Sequence, residues 1–404
     1  LDRSSAASDV YKRQINFHDG PLPTYAGLNA PTWALLAGET THGITWHLIE
    51  GGVDEGDILA QSIFDLAPDE TALTLNTKCY AAAIETFSSV LDMLGRGDLD
   101  RRRQDLGART YFAKAKRPEG CATLDFTRTR DALTTLCRAL DYGGYANPLA
   151  VPKIVVGGRA YLAPSLVPIQ TITDRAPGTV VAVCTVAGVD VACADGVVRL
   201  ARLTLSNGES VDPKRVLSVG DRLTAHGAED RATLTTLHEA VARHEDFFRK
   251  RLASLDPLEA PLTVSSAGST RIARVEVPLP VGTSRDTALA AGLATLARLG
   301  GKTVFDVALS SDALRARIAG FDAYFADAVP LRFVADETST LEDATRTITE
   351  ALTTLTTRET YARDLVARRP EIPPVSLPVG VLLTDHPADF PEAGYGPWRK
   401  VLEQ

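Results

Sequence analysis

Ile15-Asn-Phe-His-Asp-Gly-Pro-Leu-Pro-Thr-Tyr-Ala-Gly27 is the stretch on which the reading of this chain turns. Ile15 to His18 reads as a short strand, and 19–29 as a turn rich in Pro and Gly. Prolines 21 and 23 pre-set φ, so the loop presents backbone groups at little ordering cost. Asn16 and His18 therefore stand at a strand end, with Asp54 some 36 residues after His18. An amide, an imidazole and a carboxylate that converge there suit acyl transfer to an amine. The Asn side chain donates N–H to an oxyanion, the imidazole adds a donor or relays a proton, and the carboxylate fixes the imidazole. Taken singly, each residue has a plainer reading: a strand-end cap, a structural histidine and a turn former beside glycine.

Outward from that stretch, Pro31 to Leu36 reads as a short helix and Gly43 to Ile49 as a strand. His42 and His47 flank that strand and read as structural. Glu50-Gly-Gly-Val-Asp-Glu-Gly-Asp57 is an acidic glycine loop. Thr71 to Met93 carries Leu73, Leu75, Tyr80, Ala83, Ile84, Phe87, Val90 and Leu91 at helical spacing and reads as a packed helix. This is an α/β piece with fewer strands than a doubly wound sheet needs. After a polar linker over 94–110, one amphipathic helix (Arg130 to Leu140) precedes short strands at 153–156, 178–183, 189–193 and 197–203, the pattern of a small β-barrel. Residues 221–255 read as helical, 257–270 as a linker, and a separate α/β unit follows.

The chain has 404 residues, 45% hydrophobic and 23% charged, which excludes wholesale disorder, collagen-like repeats and coiled coil. Its 43 Lys and Arg against 51 Asp and Glu give a net charge of −8, contrary to a global nucleic-acid-binding surface. Residues 109–215 do hold 14 cations against 9 anions, a local excess within what a solvated surface shows. No apolar run approaches the ~18 residues of a membrane span, and no charged leader precedes an apolar signal core, so the expected location is cytoplasmic. The five cysteines are scattered without a C-x-x-C pair, which points to reduced thiols and to no metal site. The chain begins at Leu1 and its single methionine is Met93. Residues 1–14 read as a translated sequencing adaptor or a disordered tail, and both ends as cut.

The signature at 15–27 resembles that of the 10-formyltetrahydrofolate-dependent formyltransferases, a family that includes methionyl-tRNA formyltransferase. The resemblance continues through Ala30-Pro-Thr-Trp33, Thr41-His-Gly-Ile-Thr45 and Glu50 to Leu59. It implies that Asn16, His18 and Asp54 are catalytic. It also implies that Gly20, Pro21, Leu22 and Pro23, with Gly51, Gly52 and Val53, lie against the folate cosubstrate, without a metal. Tyr111-Phe-Ala-Lys-Ala-Lys116, Ala146-Asn-Pro148 and Gly178-Thr-Val180 look like the family's C-terminal barrel domain. Asp19-Gly-Pro-Leu-Pro23 departs from the usual Ser-Leu-Leu-Pro and is more like formylation domains that open nonribosomal peptide synthetases. Segments at 288–299, 303–309, 328–333 and 341–348 look like the second half of a synthetase condensation domain, without its double histidine.

The resulting expectation is an α/β chain in pieces. Residues 1–14 are an artefact or disordered, 15–99 a partial Rossmann-like catalytic domain, and 109–216 an OB-like barrel. A helical connector follows over 217–262 and a non-catalytic condensation-like half over 263–404. The expected reaction passes formyl from 10-formyltetrahydrofolate to an aminoacyl group on a carrier protein, with adenylation and carrier domains as partners. The alternatives are methionyl-tRNA formyltransferase, with tRNA as partner, a sugar-amine formyltransferase, and an inactive scaffold fragment.

Overall fold

A computed structural model describes residues 14–97, 99–184, 188–258, 277–335, 338–374 and 376–385. The expected tail at 1–14 thus lies outside the described residues except for Gln14, as do 259–270 of the expected linker. The chain divides into two compact units, the first over 1–243 with 367–370 and the second over 244–366 with 371–404.

In the first unit, β1 (Ile15–His18), β2 (Ala26–Gly27), β3 (Thr41–Leu48) and β4 (Ile58–Asp65) precede the long helix. Strands β1, β3 and β4 form a three-stranded antiparallel sheet in the order β1-β3-β4. Strand β4 is not apparent from the sequence, because Ala60-Gln-Ser62 interrupts its apolar run. Gln61 makes polar contacts there, its Nε2 donating to Leu22 O at 2.8 Å and to Thr45 Oγ1 at 3.0 Å.

Helix α1 (Ala30–Ala37) starts at Pro31 within its first turn, and ends where Gly38 takes φ 74° and returns its N–H to the last carbonyls. Helix α2 (Ala72–Arg96) opens on a Thr71/Thr74 capping box and stops at Gly97, φ 72°. Leu75, Cys79 and Ala82 of α2 pack with Leu35 and Ile44, and with the partly buried Phe17, Trp46 and Phe64. Only one face of α2 is covered. Of the residues expected to pack, Leu75, Ala83 and Val90 are buried, whereas Tyr80, Ile84, Phe87 and Leu91 are exposed together with Leu94. The helical spacing holds, and Tyr80 and Phe87 still meet the sheet at Phe17 and Trp46, with ring centroids 5.8 and 5.3 Å apart, while Ile84 and Leu91 face solvent.

Strand β5 (Tyr111–Phe112) pairs in parallel with β2. Helix α3 (Arg130–Ala139) then packs beside β6 (Lys153–Val156), β7 (Arg159–Leu162), β8 (Val167–Ile169), β9 (Val180–Cys184), β10 (Gly188–Cys193), β11 (Gly196–Leu200), β12 (Leu203–Thr204) and β13 (Ser210–Val211). These strands make two four-stranded sheets, β8-β11-β10-β9 and β13-β12-β7-β6, and no closed barrel appears among the described residues. Their shared core holds Leu133 and Cys137 of α3 with Ile154, Val180, Val191 and Leu200. Helix α4 (Ala228–Ala242) ends this unit.

The second unit contains α5 (Glu245–Ala253), α6 (Arg285–Gly300), β14 (Val304–Ser311), α7 (Asp312–Ile318), β15 (Val329–Val334), α8 (Leu341–Arg358) and β16 (Gly380–Leu383). Its sheet order is β15-β14-β16, antiparallel and then parallel. Phe248, Leu252 and Leu258 join Phe305, Phe333, Ile348 and Leu352 in one core. The expected connector over 217–262 is therefore corrected: its residues from 244 to 258 belong to this second core, and the boundary falls at Arg243/His244 rather than 262/263. Among the described residues no helix is long and apolar enough to cross a membrane.

Candidate active site

Antiparallel pairing of β1 with β3 sets Asn16 opposite His47 and His18 opposite Thr45. The loop after β1 is tied down onto β3. Thr45 Oγ1 donates to Gly20 O at 2.8 Å and accepts the Leu22 N–H at 3.0 Å, and His42 Nε2 lies 2.8 Å from Asp19 O. A Cβ on Gly20 would come within 2.8 Å of His18 Nε2 and 2.9 Å of the Ala30 Cβ, so only glycine lets the loop close over the imidazole.

Asp54 reaches the same place from the loop between β3 and β4, with φ 56°. Gln104 clamps that loop, its Nε2 donating to Asp54 O at 2.8 Å and Gly56 O at 2.7 Å. The Asp54 carboxylate is the hub. Its Oδ2 accepts the Gly27 N–H at 2.8 Å and lies 3.6 Å from His18 Nδ1, while Oδ1 lies 3.4 Å from His47 Nε2. That same His47 nitrogen is 3.2 Å from Asn16 Nδ2. His18 and His47 thus face the Asp54 carboxylate directly, and Asn16 joins the group through His47.

His18 Nε2 is 2.9 Å from Tyr25 O, and a carbonyl only accepts, so this nitrogen carries a proton and spends it inside the protein. Its Nδ1 faces two carboxylates, Asp54 at 3.6 Å and Asp19 at 3.9 Å. Burial would raise the Asp54 carboxyl, but His47, the Gly27 N–H and the charge on His18 outweigh it and hold it below its ordinary value. For Asp19, burial wins over the attraction of His18, and the neighbouring Asp54 adds to the rise. His42 is pushed down to about 4, chiefly by burial.

The residues expected against folate separate into two groups. Gly51, Gly52 and Val53 are exposed beside Asp54, and Pro21 and Pro23 are half-buried. Leu22 instead turns inward, buried with Ala26 and Ile58. Thr45 and Gln61 hold its backbone on the sheet. His47 reads as structural in the sequence alone; pairing β1 against β3 would have placed it opposite Asn16. Among the described residues no group of three or more His, Cys, Asp or Glu gathers as a metal site would require.

Comparison with known proteins now adds the class. Residues 5–91 match the formyl transferase family, a span that holds β1, the loop after it, β3, Asp54 and most of α2. That match lies within the first unit. Methionyl-tRNA formyltransferase of Geobacter sulfurreducens is 36% identical over 114 residues, covering 28% of this chain and 35% of that protein. Methionyl-tRNA formyltransferase of Coxiella burnetii is 28% identical over 213 residues, covering 53% of this chain and 63% of that protein. The chain thus spans less than two thirds of the length of these relatives. Among solved structures, an N-formyltransferase from Helicobacter canadensis, in complex with folinic acid and dTDP-3-aminofucose, is 18% identical. Its TM-score is 0.39, over 48% of this chain and 67% of that one.

Proposed function

We propose that the chain transfers a formyl group from 10-formyltetrahydrofolate to the primary amine of an aminoacyl thioester on a peptidyl carrier protein. The observation that carries the reaction class is the cluster inside the matched segment in which His18 and His47 face the Asp54 carboxylate and Asn16 meets His47. The amine nitrogen attacks the formyl carbon, the bond from that carbon to the folate nitrogen breaks, and the folate nitrogen takes up a proton. An Asn16 N–H stabilises the negative charge that develops on the formyl oxygen. Asp54, with His18 Nδ1 and Asp19 beside it, accepts the proton that the amine loses. Gly51, Gly52 and Val53 are exposed next to that carboxylate and fit the folate ring system, with Gly20, Pro21 and Pro23 on the other side of His18.

Two features support a carrier-bound amine. The loop reads Asp19-Gly-Pro-Leu-Pro23, and a second α/β unit follows the first, which on this reading is a condensation-like spacer leading to adenylation and carrier domains in the cytoplasm. The second reading, formylation of methionyl-tRNA, is favoured by the named activity of the relatives just described. Acceptor competition separates them. The chain is given 10-formyltetrahydrofolate with an isotopically labelled formyl group and either an aminoacyl-loaded carrier protein or methionyl-tRNA. Carrier formylation with weak salt dependence supports the proposal. A rate on tRNA that falls by about 10³-fold or more between ~50 and ~200 mM salt, without carrier formylation, supports the second reading.

A further inference from the structure

The geometry points to His47 as a positioning residue that fixes which end of the Asn16 carboxamide faces the reacting carbonyl. This inference rests on the formyl-transfer reading above and deepens it. His47 Nδ1 lies 2.9 Å from Leu48 O. A backbone carbonyl has no proton to give, so Nδ1 is the protonated nitrogen. In the neutral ring Nε2 then has a lone pair and accepts from Asn16 Nδ2 at 3.2 Å, whereas the hydrogen bond from His47 that lowers the Asp54 carboxyl belongs to the ring with a proton on Nε2. The ring is buried, its side chain 3% exposed, so water does not compete for that lone pair.

The consequence falls on Asn16. A terminal carboxamide has two nearly isosteric ends, and rotation by half a turn exchanges an N–H donor for a carbonyl oxygen. Only the donor end helps an oxyanion; the oxygen end repels it. By taking one Nδ2–H, His47 selects the orientation in which Nδ2 points across β1 and β3 and the second Nδ2–H stays available to the ligand. Strand register makes this possible, since Asn16 and His47 are direct partners in the antiparallel pair. The competing arrangement puts a proton on Nε2 and directs it to Asp54 Oδ1 at 3.4 Å, which would leave the Asn16 amide without this acceptor.

Two measurements on the full chain decide the matter. Long-range proton–nitrogen NMR of histidine-labelled protein near neutral pH, with His47 assigned by the signals that His47→Gln removes, reads the ring directly. A proton on Nδ1 and none on Nε2 is expected; a proton on Nε2 overturns the inference. Kinetics with 10-formyltetrahydrofolate and an aminoacyl-loaded carrier protein supply the second readout. His47→Phe should lower kcat by about 10- to 100-fold with the KM for the formyl donor unchanged, the loss expected when a catalytic donor is misplaced by a fraction of an ångström to an ångström. His47→Gln, whose amide oxygen can accept from Asn16, should restore most of that loss. Wild-type kcat in His47→Phe, or a Gln variant as slow as the Phe variant, overturns the role. If His47→Phe does not fold, the ring protonation and the Gln variant still decide. If the unmodified chain transfers no formyl group, the formyl-transfer reading fails and the protonation of His47 alone decides whether the contact exists.

Discussion

Gly56 gives the sharpest test of how the loop carries Asp54 into the site. A Cβ built there would lie 1.8 Å from Leu48 O and 2.7 Å from Leu48 C, both backbone atoms at the end of β3. Ordinary contact begins at 3.4 Å, well beyond both distances, so Gly56→Ala forces β3 and the loop apart, an overpacking that costs about 1–3 kcal/mol. The Leu48 N–H to Asp57 O bond at 3.0 Å and both Gln104 bonds lie in the path of that movement. Asp54 moves with the loop, and a displacement of about 1 Å is a large fraction of its 3.4 and 3.6 Å approaches to His47 and His18. A loss of about 10²-fold in formyl transfer is expected, with a melting temperature lowered by several degrees. Gly52→Ala is the contrast. Its Cβ meets only the Glu55 carboxylate at 2.7 Å, the mobile end of a side chain that can swing away, so the melting temperature should stay within error of the unmodified protein. Thermal unfolding followed by circular dichroism and a labelled-formyl assay read both effects. A Gly56→Ala protein with unchanged melting temperature and turnover would refute the close approach.

The other predictions address separate parts of the account. Asn16→Ala removes one oxyanion donor and should slow transfer by about 10²–10³-fold while tetrahydrofolate binding, measured by calorimetry, changes little. His42 is buried, with its Nδ1 unpartnered, and is held at about 4 against an ordinary 6.5. Its folded-state value is depressed, so the unfolded chain takes the proton first. Stability is therefore full above pH ~6.5 and declines as pH falls towards ~4, by about 3 kcal/mol in all. His42→Phe should flatten that part of the curve in denaturant titrations. Asp54 is also depressed, so its contribution is present above the ordinary carboxylate range and is lost only in stronger acid; Asp54→Asn should remove that acid limb. Finally, Ile84→Lys with Leu91→Lys on the exposed face of α2 should raise the soluble fraction on expression and shift stability by no more than about 0.5 kcal/mol, judged by sedimentation and melting.

Much of this arrangement is legible in the residues themselves. Asn16 and His18 are separated by one position on a strand that ends in a Pro-fixed loop, and the glycines around Asp54 announce a tight turn. Helices α1 and α2 carry their own stops in Gly38 and Gly97. The features that are not legible depend on tertiary partners. Strand β4 is obscured because Gln61 faces inward to serve the Leu22 loop. The burial of Leu22 within its Pro-rich loop depends on Thr45 and Gln61, which hold its backbone on the sheet. His47 looks structural until strand register places it against Asn16. Ile84 and Leu91 of α2 have the spacing of a buried face yet are exposed, and local sequence carries no record of how far the sheet reaches around the helix. The boundary at Arg243/His244 is displaced from its expected place because α5 reads as a connector, although Phe248 and Leu252 complete the second core.

The most direct test of the central claim is a single-turnover assay with 10-formyltetrahydrofolate labelled in the formyl carbon, an aminoacyl-loaded carrier protein, and the unmodified chain beside Asp54→Asn. The account predicts that label appears on the α-amine with the unmodified chain and falls by orders of magnitude in the variant. Equal transfer by the two proteins, or no transfer by the unmodified chain to carrier-bound or tRNA-bound amines, would contradict it.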